Sequence, residues 1–254
     1  MKKYILFLFV IFAMEGHAES KNSIDKLKRN IPEYTKAFTE IYNNAIFDKS
    51  DYREMKKGVE IASTLLQVFD SKRAKMIIGL KGYKIAEKLR VVYPNKVAGY
   101  YYSALLLGLA AVYKGTQFVL YDIPKIEKWA LKANELDPGL KNGAPANLLC
   151  GVYYEAPGFP ISIWNLKKAR KYCEFAMKNY PTNCTVYLYL AAIYDIDQGK
   201  DVAKQTLLKG KKHCKAPNDS LEEQVWLEKD LETLEWMLNR IDKGQSIRKF
   251  MENR

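Results

Sequence analysis

The 254-residue chain is 48% hydrophobic, enough for one continuous core, and its 41 basic against 29 acidic side chains give a net charge of +12. A field of that sign attracts acidic proteins, anionic ligands or anionic membrane surfaces without specifying a fold, and a solvated lysine surface is the simpler account of it. One of the two histidines, His17, lies in a removable leader, so no site built on two imidazoles is available; no phosphate-cradling glycine loop or CxxC pair occurs either, and no enzymatic activity, cofactor or metal is expected.

Residues 1–18 have the layout of a secretory signal: Lys2 and Lys3, the apolar run YILFLFVIFAM, then a cleavage-like Gly16-His17-Ala18. The run is well short of the roughly 20 residues that span a bilayer, so a cleaved leader is expected rather than an anchor, and no cysteine near the cut marks a lipid-attachment site. The mature chain, 19–254, is read as a single all-helical domain, periplasmic or secreted, with no nucleic-acid partner and no stable membrane span.

Ser23 to Phe47 places Ile24, Leu27, Ile31, Tyr34, Phe38, Ile41 and Ala45 at helical spacing, with Pro32 kinking or dividing the element. A second amphipathic helix runs from Asp51 to Phe69. Ser71 caps a third, which Tyr93-Pro94 closes, and these helices make an N-terminal bundle. Val97 to Tyr113 carries no charge and reads as a buried central helix, below membrane-spanning length and interrupted by Gly99 and Gly108. Pro124 suits the first turn of the next helix.

Gly143 to Pro217 reads as two consecutive helical hairpins. In the second, Tyr187, Leu190, Ala191 and Tyr194 on one helix are answered by Ala203, Leu207 and Gly210 on the other; in the first, Leu149, Cys150 and Tyr153 are answered by Ala169, Cys173 and Ala176, ending in Pro181. A looser copy upstream pairs Tyr100, Ala104 and Leu107 with Ile126, Ala130, Ala133 and Pro138. This alternation of large and small residues is the pattern of a tetratricopeptide unit, and the units lie at 95–138, 143–181 and 184–217. Asp195 and Asp197 stand at a helix end, where a solvated turn explains them. Lys209, Lys211, Lys212, His213 and Lys215 cluster where a helix C-terminus favours cations. The helix at 219–242, with Leu227, Leu231, Leu234, Leu238 and Ile241 on one face, reads as the polar-backed cap of an α-α solenoid, its seam being too short for a coiled coil. Lys243 to Arg254 are expected to fray.

The segment GAPANLLCGVYYEAPGFPISIWNLKKARKYCEFAMKNYP resembles exported bacterial tetratricopeptide repeat (TPR) proteins, among them the TatT-like component family of tripartite ATP-independent periplasmic (TRAP) transporters. The features that carry the resemblance are YYEAPG, the extended loop after it and KKA in the following helix. It runs from about Tyr93 to Lys212 and leaves residues 19–70 unmatched. It implies partnership with a periplasmic solute-binding protein, self-association into a homo-oligomer and an apolar ligand. Two functions follow: a periplasmic TPR scaffold holding a protein or peptide in its concave groove, or a TatT-like accessory that binds a solute-binding protein and a small apolar or acidic ligand.

In a TPR stack the first helix of each unit lines the inner face. The groove is therefore expected at Tyr101, Leu105 and Gly108, then Asn147, Gly151 and Tyr154, then Leu188, Ala192 and Asp195; a neighbouring helix filling it is the competing reading. If each hairpin is antiparallel, Cys184 lies beside Cys214 and Cys150 faces Cys173, so two disulfides are expected, against the alternative that Cys150 and Cys173 are ordinary small core residues.

Overall fold

A computed structural model describes residues 23–114, 116–157, 162–248 and 250; the leader at 1–18 lies outside the described residues. All regular structure among them is helical. A helix at residues 23–29 (α1) stops at Asn30, and α2 (Ile31–Ile46) begins with Pro32 in its first turn, where a missing N–H costs nothing, so Pro32 divides the element. Asp51 caps α3 (Tyr52–Val68) by accepting from the Glu54 N–H, and Ser71 caps α4 (Lys72–Val92) by accepting from that of Ala74. Next come α5 (Val97–Lys114), α6 (Thr116–Leu136), α7 (Ala144–Glu155), α8 (Leu166–Asn179), α9 (Cys184–Asp197), α10 (Lys200–His213) and α11 (Leu221–Asp242).

Pro124 does not open α6 but lies inside it. A proline removes a single i to i−4 hydrogen bond. Here α6 packs on both α5 and α7, and tertiary packing carries the helix through that defect.

Consecutive helices pack as neighbours, α3 on α4, α4 on α5, α5 on α6, α7 on α8 and α9 on α10. In addition α3 touches α5, α5 touches α7 and α7 touches α9, so these four form one continuous layer. One turn recurs where a helix of the other layer ends: the Tyr93, Asp137 and Tyr180 carbonyls each accept from the N–H three residues on. The residues that answer one another in the sequence meet here. A Cβ at Gly210 would lie 2.8 Å from the Tyr187 side chain, so only glycine lets α9 and α10 approach this closely.

The last helix is more than a cap. It packs on α9 and α10 and also on α3, where Val225 joins Ile24, Leu27 and Val68 in a small apolar cluster. The Ile24 N–H donates to Glu228 Oε2 at 3.1 Å, so α11 ties the first described helix to the α9–α10 hairpin and closes over the layer of α3, α5, α7 and α9. The described part of the segment after α11 does not fray: Ile247 and Phe250 are fully buried, while 251–254 lie outside the described residues. Gly244, at φ +68°, turns this segment back onto α7 and α9.

A candidate ligand cavity

The layer and the closing helix enclose a cavity of about 500 Å³. Along α7 its lining is Ala144, Asn147, Leu148, Gly151, Val152 and Glu155, a stripe at steps of three and four over the whole helix. Along α5 it runs from Tyr101 and Tyr102 through Leu105, Gly108 and Leu109 to Val112. Ser63, Leu66 and Gln67 of α3, Thr185 and Tyr189 of α9, and Glu223, Trp226, Leu227 and Asp230 of α11 complete the wall. The exposed Val112 marks one end, and the exposed Lys215 and Pro217 mark the other.

Five of the nine expected groove residues line this cavity: Tyr101, Leu105, Gly108, Asn147 and Gly151. The other four do not: the C-terminal segment covers Tyr154 and Asp195, and the core takes Leu188 and Ala192. Tyr154 donates to the Arg248 carbonyl at 2.6 Å and packs against Phe250, while Leu188 and Ala192 are fully buried. Asp195 is buried too, not in a solvated turn: its Oδ2 accepts from Ser246 Oγ at 2.9 Å and from the Ile247 N–H at 3.2 Å, with the Arg248 guanidinium at 3.8 Å. Asp197 pairs instead with Arg170 at 3.2 Å.

Sequence reasoning missed the contribution of α11. Glu223, Trp226, Leu227 and Asp230 share one face at steps of three and four, a signal present in the sequence but hidden by the leucine stripe that overlaps it and by the assumption that charges face water. Glu223 is paired with Lys141, and Asp230 accepts from the Thr185 hydroxyl. Tyr102 Oη and Asn147 Oδ1, also in the wall, are buried and have no such partner among the described residues. Burial raises the Tyr101 and Tyr102 phenols, Tyr102 the more strongly, so both stay neutral hydrogen-bonding groups at physiological pH.

Both expected disulfides are present. Cys150–Cys173 joins α7 to α8 with Cα atoms 5.4 Å apart, and Cys184–Cys214 ties the start of α9 to the end of α10 at 4.7 Å. Cys184 lies in the cavity wall. No group of three or more His, Cys, Asp or Glu side chains suited to a metal occurs among the described residues, and no helix among them is long and apolar enough to cross a membrane.

Beside the cavity, Glu222 has its carboxyl raised above the usual value, first by burial and then by the charge of Glu60, against opposing contributions from Lys141 and Lys56. The folded state therefore holds the Glu222 proton more tightly than the unfolded chain, and stability from this group is complete below the ordinary carboxylate value and lost as pH rises through the raised one. Glu222→Gln should accordingly raise the melting temperature at pH 7 and give no gain at pH 4. Calorimetry at the two pH values checks this; a lower melting temperature at pH 7 would mean that the two lysines outweigh burial.

No protein-family model matches the chain, and no curated protein matches it.

Proposed function

We propose that this chain is an exported helical-repeat protein that takes up a small, mainly apolar ligand in the cavity between α3, α5, α7, α9 and α11. The cavity itself carries the reading: its volume of about 500 Å³ lies within the range of small-molecule sites, and its walls are largely apolar with a few convergent polar groups. A TPR-like α-α solenoid is supported by the continuous α3–α5–α7–α9 layer and by the turn repeated at Tyr93, Asp137 and Tyr180. Two disulfides fit an oxidising compartment, such as a periplasm or the cell exterior. In that setting the protein is a TatT-like accessory, passing its ligand to a solute-binding protein and working as a homo-oligomer.

A scaffold for a protein or peptide is the second reading. Its support is the segment 246–248, a stretch of polypeptide held on Tyr154 and Asp195 at the end of the same layer. Native co-purification separates the two, since the first requires a small molecule in the purified protein and the second a bound polypeptide.

The cavity reading has a sharper test at Gly108. A Cβ there meets nothing within 4 Å, so a larger side chain enters open space without a clash. Gly108→Leu should weaken binding of the neutral apolar dye N-phenyl-1-naphthylamine at least tenfold and leave the melting temperature unchanged or higher. Dye binding equal to that of the unaltered protein would remove the cavity as the site.

A further inference from the structure

We infer that the cavity is built for a single-chain aliphatic amphiphile with a neutral, hydrogen-bond-donating head, an alcohol or an amide, bound with the head at Asn147 and the chain running toward Val112. This rests on the reading of the cavity as a ligand site and adds the ligand's shape, polarity and direction.

The shape follows from the wall. The stripe from Ala144 to Glu155 follows a straight helix for about 16 Å at 1.5 Å per residue. On the neighbouring α5 the lining runs from Tyr101 to Val112, a stretch of the same length, so the cavity is elongated along both helices. An extended chain advances about 1.2 Å per bond, so about a dozen carbons fill it.

The direction follows from where polar groups stand. The buried polar lining of α5 and α7, Tyr101, Tyr102 and Asn147, belongs to the N-terminal half; at the Val112 end the polar lining is Glu155, which is exposed, and Tyr113 and Lys75, which are half-buried with the Lys75 ammonium over the Tyr113 ring. Asn147 is 9% exposed and Tyr102 2%, yet Asn147 Oδ1 and Tyr102 Oη have no hydrogen-bond partner among the described residues. A buried carbonyl oxygen left unbonded costs on the order of 1–3 kcal/mol, and a ligand that donates to it recovers that loss.

The head's charge follows from its neighbours. Lys141 is already paired with Glu223, and Asp230 already accepts from Thr185. A carboxylate head has no proton to give Asn147 Oδ1, and the other lysine at this end, Lys215, stands exposed at the mouth, where its charge is screened. An ammonium head would be buried with its natural counterions already engaged. A hydroxyl or an amide N–H satisfies Asn147 without burying a new charge.

Straight-chain probes test each part, with binding followed by calorimetry and by the fluorescence of Trp226, which lines the cavity. Primary alkanols from six to fourteen carbons should bind about fourfold tighter per added methylene and then level off near twelve carbons. 1-Decanol should bind at least fivefold tighter than decyl methyl ether, which has no donor, and also tighter than decanoate. Asn147→Leu, close in volume, should abolish the advantage of the alcohol over the ether. Equal binding of alcohol and ether, an alcohol advantage that survives Asn147→Leu, or tightest binding by decanoate overturns the head assignment while the cavity still binds chains. Failure of every chain and of N-phenyl-1-naphthylamine overturns the cavity reading itself.

Discussion

Reducing both disulfides should lower the melting temperature by roughly 15–20 °C, the largest effect expected from any single treatment of this protein. Each bridge closes one hairpin, across sequence separations of 23 and 30 residues. Loops of that size confine the unfolded chain enough to stabilise the fold by about 3.5 kcal/mol each in the chain-entropy account, and a domain this large loses about 2–4 °C per kcal/mol. The two bridges differ in surroundings. Cys150 and Cys173 are fully buried in the α7–α8 contact, so serines there add the cost of buried hydroxyls to the loss of the bridge. Cys214 is only half-buried at the end of α10, where the Lys215 N–H also donates to the Thr182 carbonyl at 3.0 Å and holds the hairpin's ends together. The variant Cys150→Ala/Cys173→Ala keeps small apolar side chains in place and isolates the bridge, as does Cys184→Ala/Cys214→Ala for the second hairpin. Thermal denaturation with and without reductant checks all three. Identical melting curves in the unaltered protein, with thiols titrated as free, would show that the bridges contribute nothing to the fold.

Pairing of the cysteines was legible because it depends on hairpin geometry, and hairpin geometry is written in local periodicity. Tyr187, Leu190 and Ala191 against Ala203, Leu207 and Gly210 could be matched by spacing alone, and all six are buried, with Gly210 against the Tyr187 side chain. The same logic found Tyr101, Leu105, Gly108, Asn147 and Gly151, which face the cavity because they lie on the first helix of each hairpin. What local periodicity lacks is any term for contacts distant in sequence. Nothing near Val225 announces that it meets Ile24, Leu27 and Val68, so a helix with the composition of a terminal cap closes the layer instead. Glu223, Glu228 and Asp230 looked like a solvated face, yet each is buried because Lys141, the Ile24 N–H and Thr185 arrive from remote segments to satisfy them. Asp195 was misread for the same reason, its partners lying some fifty residues on in a segment too short to show any pattern.

Truncation after Lys243 should cost the protein about 10 °C or more in melting temperature, although a short, highly polar terminus of this kind is ordinarily dispensable. Phe250 is fully buried, with its ring edge-on to Tyr189 at 5.0 Å between centroids and tilted against Tyr154 at 6.4 Å. Phe250→Ala alone should destabilise by about 3–5 kcal/mol, the range for an aromatic removed from a packed core. Asp195→Ala attacks the same segment from the other side: it leaves the Ser246 hydroxyl and the Ile247 N–H without their acceptor and removes the carboxylate that faces Arg248. If residues 245–250 hold to the layer as one unit, either change releases most of what the other would, so the double variant should lose clearly less than the sum of the two. Additive losses would mean that Phe250 and Asp195 stabilise the fold independently. A truncated protein that melts with the intact one would show that the segment contributes nothing. Release of the segment also uncovers Tyr154 and Tyr189, and Tyr189 lines the cavity, so dye affinity measured alongside stability reports whether the segment seals that wall. A truncated protein that stays folded at low temperature should bind N-phenyl-1-naphthylamine with faster exchange than the intact chain, because one side of the cavity then opens to solvent.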